Sequence, residues 1–149
     1  MIRTVNSSAL FVLSLMVSLL MVNGGHVKGQ SMSESVSGKW ILESAAEELN
    51  GGTMEFKDGM QYSFYKRYTD GTGAEVKGSY LLEEGESSHR LRLCLGDCHA
   101  AGSEWTSTFC LIRLGAGGKL EIYMSQDGNY PGKFPEDNKA TGMYVFARE

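Results

Sequence analysis

The amino-acid sequence predicts an all-β fold, a single eight-stranded antiparallel up-and-down β-barrel that follows a signal peptide. Short segments in which apolar and polar residues alternate run from about residue 38 to the end of the chain. Turn pairs such as Asp58-Gly59 and Asp70-Gly71 separate these segments, as in β-hairpins. No helical pattern is long enough to cover a sheet, so closure into a barrel is the simplest way for a meander to bury its apolar face. A two-sheet sandwich is the alternative, because Greek-key connections cannot be recognised from one sequence.

The first 29 residues have the features of a signal peptide. Arg3 precedes an uncharged run of 14 residues, Ala9 to Val22, which is short for a membrane span and typical of the hydrophobic region of a signal peptide. Cleavage after Gly29 would leave Gln30 as the mature N-terminus, while cleavage after Gly24 and retention as an uncleaved anchor are alternatives. We therefore expect a secreted or periplasmic protein without a membrane span.

The charge of the mature chain limits its partners. Removal of residues 1–29 takes away Arg3 and Lys28 and leaves 12 basic and 18 acidic residues, a net charge of −6. Such a chain has no electrostatic means of binding nucleic acid or an anionic membrane surface. Export also places the three cysteines in an oxidising compartment, where any pair within reach forms a disulfide and the odd thiol has no intrachain partner.

The mature chain divides into a polar linker over residues 30–37 and a barrel domain over residues 38–149. The segment ESAAEEL, residues 43–49, is the candidate helix, of about two turns. All other regular segments are predicted strands. The eight predicted strands cover residues 38–44, 53–57, 60–68, 74–83, 89–95, 105–114, 119–125 and 141–149.

Residues 94–99, CLGDCH, contain two cysteines and a histidine and raise the question of a cofactor. Haem attachment normally needs CxxCH at the start of a helix, whereas here the spacing is one residue longer and the segment follows a strand. A structural zinc site usually shows two close ligand pairs, and thiol–disulfide catalysis expects CxxC at a helix N-terminus. We therefore expect no cofactor and no metal at this segment.

A structural disulfide is the expected role of these cysteines. If the hairpin between the fifth and sixth strands is centred near Gly102, Cys94 lies opposite Cys110 and apolar residues face apolar residues. Opposed residues in a non-hydrogen-bonded pair lie about 4.5 Å apart between Cα atoms, within the range of a disulfide. This register predicts a bridge from Cys94 to Cys110 and a free Cys98, with a bridge from Cys98 to Cys110 as the alternative.

The first and last predicted strands contain residues that resemble the motifs of a known protein family. Gly38-Lys39-Trp40 matches the G-x-W that opens the first strand of lipocalins and their calycin relatives, and Arg148 sits where that superfamily often has an arginine in its final element. The chain resembles the small secreted lipocalin-like domains of Gram-negative bacteria. The resemblance implies a barrel with one end closed by the Arg148 guanidinium lying on the Trp40 indole, through cation–π attraction and packing of the alkyl stem.

The predicted inward faces carry aromatic side chains suited to an apolar ligand. The predicted ligand-binding residues are Tyr62, Phe64, Gly78, Tyr80, Trp105, Phe109, Arg113 and Met124. Among them, Gly78 is where a missing side chain would open a pocket, and Arg113 would bind a ligand carboxylate. In the alternative, the aromatic side chains fill a small barrel, and the Arg113 side chain extends into solvent at the barrel rim or pairs with a glutamate.

The sequence contains no nucleophile motif, metal triad or phosphate-binding glycine loop, so we expect no enzyme. The favoured function is a lipocalin-like binding protein for a small apolar or amphipathic ligand. The alternative is a secreted interaction protein, such as a hydrolase inhibitor, with a filled barrel and an active loop at residues 129–138. Tyr130, Phe134 and both prolines of the chain cluster in that loop, where they would lower the entropy lost on docking a protein partner.

Overall fold

The computed structural model describes residues 30–149, and the predicted signal peptide, residues 1–29, lies outside that range. Eight antiparallel strands pair in sequence order and the last strand pairs with the first, so the sheet closes into a barrel. The predicted fold class is confirmed. Residues 30–149 form no helix with the length and apolar character needed to cross a bilayer.

The regular elements follow one another with short connections except before β6 and β8. They are α1 (Met32–Val36), β1 (Gly38–Ala45), β2 (Leu49–Lys57), β3 (Gln61–Tyr68), β4 (Gly73–Glu83), β5 (His89–Cys94), β6 (Ser107–Leu114), β7 (Leu120–Met124) and β8 (Met143–Arg148). A 3₁₀ turn, Ser103–Thr106, precedes β6 and a shorter one, Ala116–Gly118, follows it.

The helix predicted over residues 43–49 is wrong. This segment contains the end of β1, a turn and the first residue of β2. Ser44 and Ala45 pair with Val145 and Tyr144 of β8 after a register shift, so barrel closure determines their conformation rather than local helix propensity.

The segment predicted as a polar linker contains helix α1, which lies at the end of the barrel where β1 begins. Ser31 caps this helix, since its Oγ accepts a hydrogen bond from the Glu34 amide at 3.2 Å and the Glu34 side chain accepts one from the Ser31 amide. Met32 and Val36, four residues apart on one helix face, are buried in the core. Burial of these two apolar side chains orders a segment that its polar composition marks as a linker.

The predicted contact between Trp40 and Arg148 is present, and it joins both ends of the domain to α1. The Arg148 guanidinium carbon lies 4.2 Å from the centre of the Trp40 ring system. The same guanidinium donates to the carbonyls of Ser37 at 2.5 Å and Ser35 at 2.6 Å, and the Trp40 Nε1 donates to the Val36 carbonyl at 2.8 Å. Arg148 and Trp40 therefore satisfy carbonyls at the C-terminal end of α1 while they pack on each other.

Aromatic and aliphatic side chains fill the barrel interior. Phe56 packs edge-on against Tyr80 at a centroid distance of 5.1 Å, and Phe64 packs edge-on against Tyr144 at 5.6 Å and Phe146 at 5.9 Å. The other interior barrel residues are Trp40, Met54, Tyr62, Leu91, Leu93, Cys110, Ile112, Leu120, Ile122 and Met124. An eight-stranded barrel is just wide enough for side chains of this size to fill it.

A charged cluster covers the interior at the end opposite α1. Lys66 Nζ lies 3.1 Å from Glu47 Oε2, donates a hydrogen bond to the Tyr144 hydroxyl oxygen at 3.0 Å, and sits 5.2 Å from the centre of the Phe64 ring. The Tyr144 hydroxyl donates a short hydrogen bond to Glu47. Burial alone would raise the pKa of Glu47, but the Tyr144 hydrogen bond and the Lys66 charge together lower it, so the carboxylate stays ionised at neutral pH.

Candidate functional site

The predicted ligand-binding residues separate into an interior group and an exterior group. Tyr62, Phe64, Tyr80 and Met124 lie in the interior, where they pack against other side chains. Burial raises the pKa of Tyr62 to about 12, so its hydroxyl is protonated at neutral pH. Five clefts within residues 30–149 have volumes of about 180–290 Å³ and open on the outside of the barrel.

The pocket predicted at Gly78 is wrong. Gly78 pairs with Tyr62 of β3, as a residue on the predicted face would. A Cβ atom at Gly78 would lie only 1.7 Å from the Cys94 carbonyl oxygen. Glycine is required at this position because the backbone at the end of β5 occupies the space that a side chain would need.

The inward orientation predicted for Trp105, Phe109 and Arg113 is also wrong. Trp105 precedes β6 in the 3₁₀ turn and is 91% exposed, the most exposed large apolar side chain of residues 30–149. Within β6, Cys110 and Ile112 point into the core instead of Phe109 and Arg113. Arg113 pairs on the outside with Glu121, with 2.5 Å between Nε and Oε2, as the alternative reading of Arg113 expected.

The strand register explains both this inversion and the disulfide. Cys94 pairs with Ser107 and Leu91 with Cys110, a shift of three residues from the predicted hairpin. An odd shift exchanges the two faces of a strand. The predicted Cys94–Cys110 bridge is therefore wrong: Cys94 is bonded to Cys98, and Cys110 is a free thiol buried in the core. Burial raises the pKa of that thiol, which keeps it protonated.

The Cys94–Cys98 bridge is expected to contribute about 2 kcal/mol to the free energy of unfolding, because it closes a ring of only about five residues. Urea unfolding with and without reductant measures this difference. Cys110→Ala should retain it, whereas Cys98→Ala should abolish it. Loss of the reductant effect in Cys110→Ala, with retention in Cys98→Ala, would show that Cys110 belongs to the bridge.

The β5–β6 loop, residues 95–106, is fixed to the barrel near the disulfide. Ser79 of β4 accepts a hydrogen bond from the Cys98 amide at 2.8 Å and donates one to the Gly96 carbonyl at 2.6 Å. Cys98 itself is only 5% exposed. The first half of the loop is thus held by one covalent and two polar contacts to the end of β5 and to β4.

Arg92 holds the second half of the loop, which carries Trp105. Its Nη2 donates to Ser103 Oγ at 2.6 Å and its Nε donates to Ser107 Oγ at 2.9 Å. Ser103 Oγ in turn donates to the Cys98 carbonyl at 2.7 Å, and Ser107 Oγ donates to the Ser103 carbonyl at 2.6 Å. These bonds fix both ends of the 3₁₀ turn, so the backbone of Trp105 is held in place although its side chain is exposed.

The Trp105 cleft, defined by Glu104, Trp105, Phe109 and Gly128, has a volume of about 290 Å³. Phe109 packs edge-on against Tyr130 with 4.9 Å between ring centroids, and the Arg92 guanidinium carbon lies 5.7 Å from the Phe109 ring centre. The cleft therefore combines an exposed indole with an aromatic residue fixed by its neighbours. The predicted strand over residues 105–114 begins at Trp105, whereas β6 begins at Ser107 and the turn before β6 contains Trp105. The Gly102-Ser103 pair directly before it marks the break.

The β7–β8 loop, residues 125–142, contains the predicted partner loop and packs on the outside of the barrel. Tyr130 lies against Phe109, and the Arg90 guanidinium carbon sits 5.1 Å from the Tyr130 ring centre. Phe134 lies 4.0 Å from the Arg113 guanidinium carbon. Both aromatic side chains of residues 129–138 thus make contacts within the protein. A partner at this loop remains a prediction.

One carboxylate lines the Trp105 cleft, and a second lies beside one of its lining residues in the sequence. Glu104 lines it directly, and Asp127 immediately precedes Gly128. Hydrogen bonds from Ser125 and Asn129 lower the pKa of Asp127. Among the ion pairs of residues 30–149, none involves Glu104 or Asp127.

No protein-family model, curated protein or solved structure matches this chain.

Proposed function

We propose that this protein is an exported interaction protein, a filled β-barrel that binds a macromolecular partner through the Trp105 cleft. The observation that carries the proposal is the 91% exposure of Trp105 on a loop held by a disulfide and by Arg92. Moving the apolar surface of an exposed indole from water into a partner interface is favourable by about 25 cal/mol per Å² buried. Tryptophan is among the residues most enriched at the energetic centres of protein interfaces.

The fixed loop supports binding in a second way. A loop that is ordered before it meets a partner loses less conformational entropy on binding than a mobile loop. The disulfide and Arg92, both on β5, and Ser79 on β4 supply that order. The same contacts give hydrogen-bond partners to Ser79 and Ser103, which are buried beside this surface loop, and to Arg92, which is half-buried.

The packed interior supports an interaction protein over a carrier of small apolar ligands. A carrier of the lipocalin type needs internal space, and drug-sized ligands usually occupy about 300 Å³ or more. Phe56, Phe64, Tyr80 and Tyr144 instead fill the interior with edge-to-face contacts. The calycin relationship is kept in this proposal, and the contact between Arg148 and Trp40 supports it.

An aromatic photoreactive amino acid at position 105, which keeps a large apolar ring in place of the indole, tests the proposal in the cells that export the protein. We expect position 105 to cross-link to a discrete partner. Position 114 is the matched control, because Leu114 is an apolar residue of 42% exposure at the far end of β6. Excess unlabelled protein should compete for the cross-link, and Trp105→Ala should compete at least about 30-fold less well, since a tryptophan at an interface centre contributes about 2 kcal/mol or more.

Equal cross-linking at positions 105 and 114, or equal competition by Trp105→Ala, would contradict the proposal. Binding of fatty acids, retinoids or haem by the folded protein at micromolar concentration, with the same affinity in Trp105→Ala, would instead favour the carrier.

A further inference from the structure

We infer that the Trp105 cleft receives an arginine or lysine side chain of a positively charged protein segment. This inference rests on the proposed function, which gives the cleft a macromolecular partner, and adds the chemistry of the group that enters it. Trp105 and Glu104 line the same cleft of about 290 Å³.

The exposed indole is the first feature that favours a cation. The face of an aromatic ring carries negative electrostatic potential, and tryptophan attracts arginine and lysine more strongly than tyrosine or phenylalanine does. This protein already uses such contacts internally, since Arg148 stacks on Trp40 at 4.2 Å and Arg113 on Phe134 at 4.0 Å. Trp105 differs from Trp40 and Phe134 because no cation-stacking contact within residues 30–149 involves its ring.

The Glu104 carboxylate is the second feature. It lines the cleft beside the indole and forms no ion pair within residues 30–149. A guanidinium that stacks on the ring could therefore also receive a carboxylate partner, as in the cation sites built from an aromatic ring and an acidic residue. A neutral apolar segment would leave this carboxylate facing a dry interface without a partner.

Arg92, whose guanidinium lies against the cleft residue Phe109, does not neutralise Glu104. Arg92 stacks on Phe109 and donates hydrogen bonds to Ser103 and Ser107, so its guanidinium is committed to fixing the loop. Asp127, the residue before Gly128, lines a neighbouring cleft and accepts hydrogen bonds from Ser125 and Asn129, so Glu104 is the carboxylate that lines the Trp105 cleft itself. With 12 basic and 18 acidic residues in the described chain, long-range attraction also favours a basic partner and repels an acidic one.

Defined peptides test the inference without knowledge of the natural partner. The probes are a glycine–arginine repeat peptide, the corresponding lysine peptide, and a citrulline peptide that keeps the shape of arginine without its charge. Binding is followed by the indole N–H signals in NMR spectra, because the chain has two tryptophans and Trp40 is only 1% exposed. The arginine and lysine peptides should shift the Trp105 signal and leave the Trp40 signal unchanged. The citrulline peptide should bind about tenfold more weakly.

Variants and salt identify the groups responsible. Glu104→Gln should weaken binding of the arginine peptide about three- to fivefold, as expected for one exposed ion pair. The control Glu86→Gln removes the same charge from an exposed loop at the other end of β5 and should have no effect. A rise in salt from about 0.02 to about 0.5 M should weaken arginine binding and leave citrulline binding almost unchanged.

Equal binding of the arginine and citrulline peptides, or equal affinity in Glu104→Gln and the native protein, would overturn the inference. The same holds if a neutral oligosaccharide shifts the Trp105 signal more strongly than the arginine peptide, or if the protein self-associates through Trp105 at the same concentrations. If a partner is cross-linked at position 105 but the peptides do not bind, the inference of a basic side chain in the cleft is rejected and the proposed function is kept. Peptide binding without a cross-linked partner would reject the proposed function.

Discussion

Gly78→Ala is expected to lower the free energy of unfolding by about 3 kcal/mol or more, and Gly78→Leu to prevent folding. The Cβ atom of alanine would lie 1.7 Å from the Cys94 carbonyl oxygen and 2.9 Å from the Cys94 carbonyl carbon. These are backbone atoms of β5, which cannot move aside as the end of a flexible side chain can. The strand would have to separate from β4, where Cys94 pairs with Ser79.

Chemical unfolding followed by circular dichroism measures this loss. Gly132→Ala is the matched control, because a Cβ atom there meets no atom within 4 Å and the backbone requires no positive φ. We expect the control to change stability by less than about 0.5 kcal/mol. If Gly78→Ala unfolded at the same denaturant concentration as Gly132→Ala, the close approach of β5 to Gly78 would be incorrect.

Phe64→Ala is expected to lower the free energy of unfolding by about 3–5 kcal/mol, the usual effect of removing a buried aromatic side chain. Phe64 contacts the rings of Tyr144 and Phe146 and lies beneath the Lys66 ammonium group. Its removal opens a cavity in an interior that is filled in the native protein. The adjacent residue Tyr65 is 42% exposed, and Tyr65→Ala should therefore cost less than about 1 kcal/mol.

The Phe64 variant also distinguishes a filled barrel from a carrier. A small apolar molecule such as benzene should bind to Phe64→Ala and restore part of its lost stability, because an apolar cavity of this kind stays dry. The native protein should show no such effect. Stabilisation of the native protein and the variant to the same extent would mean that the barrel already contains a usable cavity.

The sequence predicted the strands well because their signals are local. The Asp58-Gly59 turn and the alternation in β4 lie within a few residues of the elements they define. The contact of Trp40 with Arg148 was also predicted, because the resemblance to lipocalin-like barrels implied that these residues meet at one end of the barrel. These features need no knowledge of how distant segments cover the sheet.

The inward face of β6 could not be predicted in the same way. Cys110 and Ile112 point into the interior, yet Phe109 and Leu111 on the other face are also largely covered. The covering comes from the β7–β8 loop, whose Tyr130 packs on Phe109. A strand with two covered faces has no polar side to reveal its orientation.

The exposed position of Trp105 was not predicted for a related reason. The length of the β5–β6 loop sets the register of β6, and the Ser103–Thr106 turn extends that loop beyond the predicted hairpin. The bonds from Arg92 to Ser103 and Ser107 that fix the turn join residues with no recognisable local motif. The identity of the bridged cysteines depended on the same register, so both predictions failed together.

Closure of the barrel restricts how this protein can recognise a partner. Each of the eight strands is paired on both sides, so the described sheet has no edge to which an extended peptide could add as a further strand. Main-chain hydrogen bonding, the usual source of affinity in strand addition, is therefore excluded as a mode of recognition for this sheet. Under the proposed function, partner specificity comes from side chains on the connecting loops and on the outer strand faces, such as Trp105 and Phe109, where changes in sequence can alter recognition without disturbing the hydrogen-bonded ladder of the barrel.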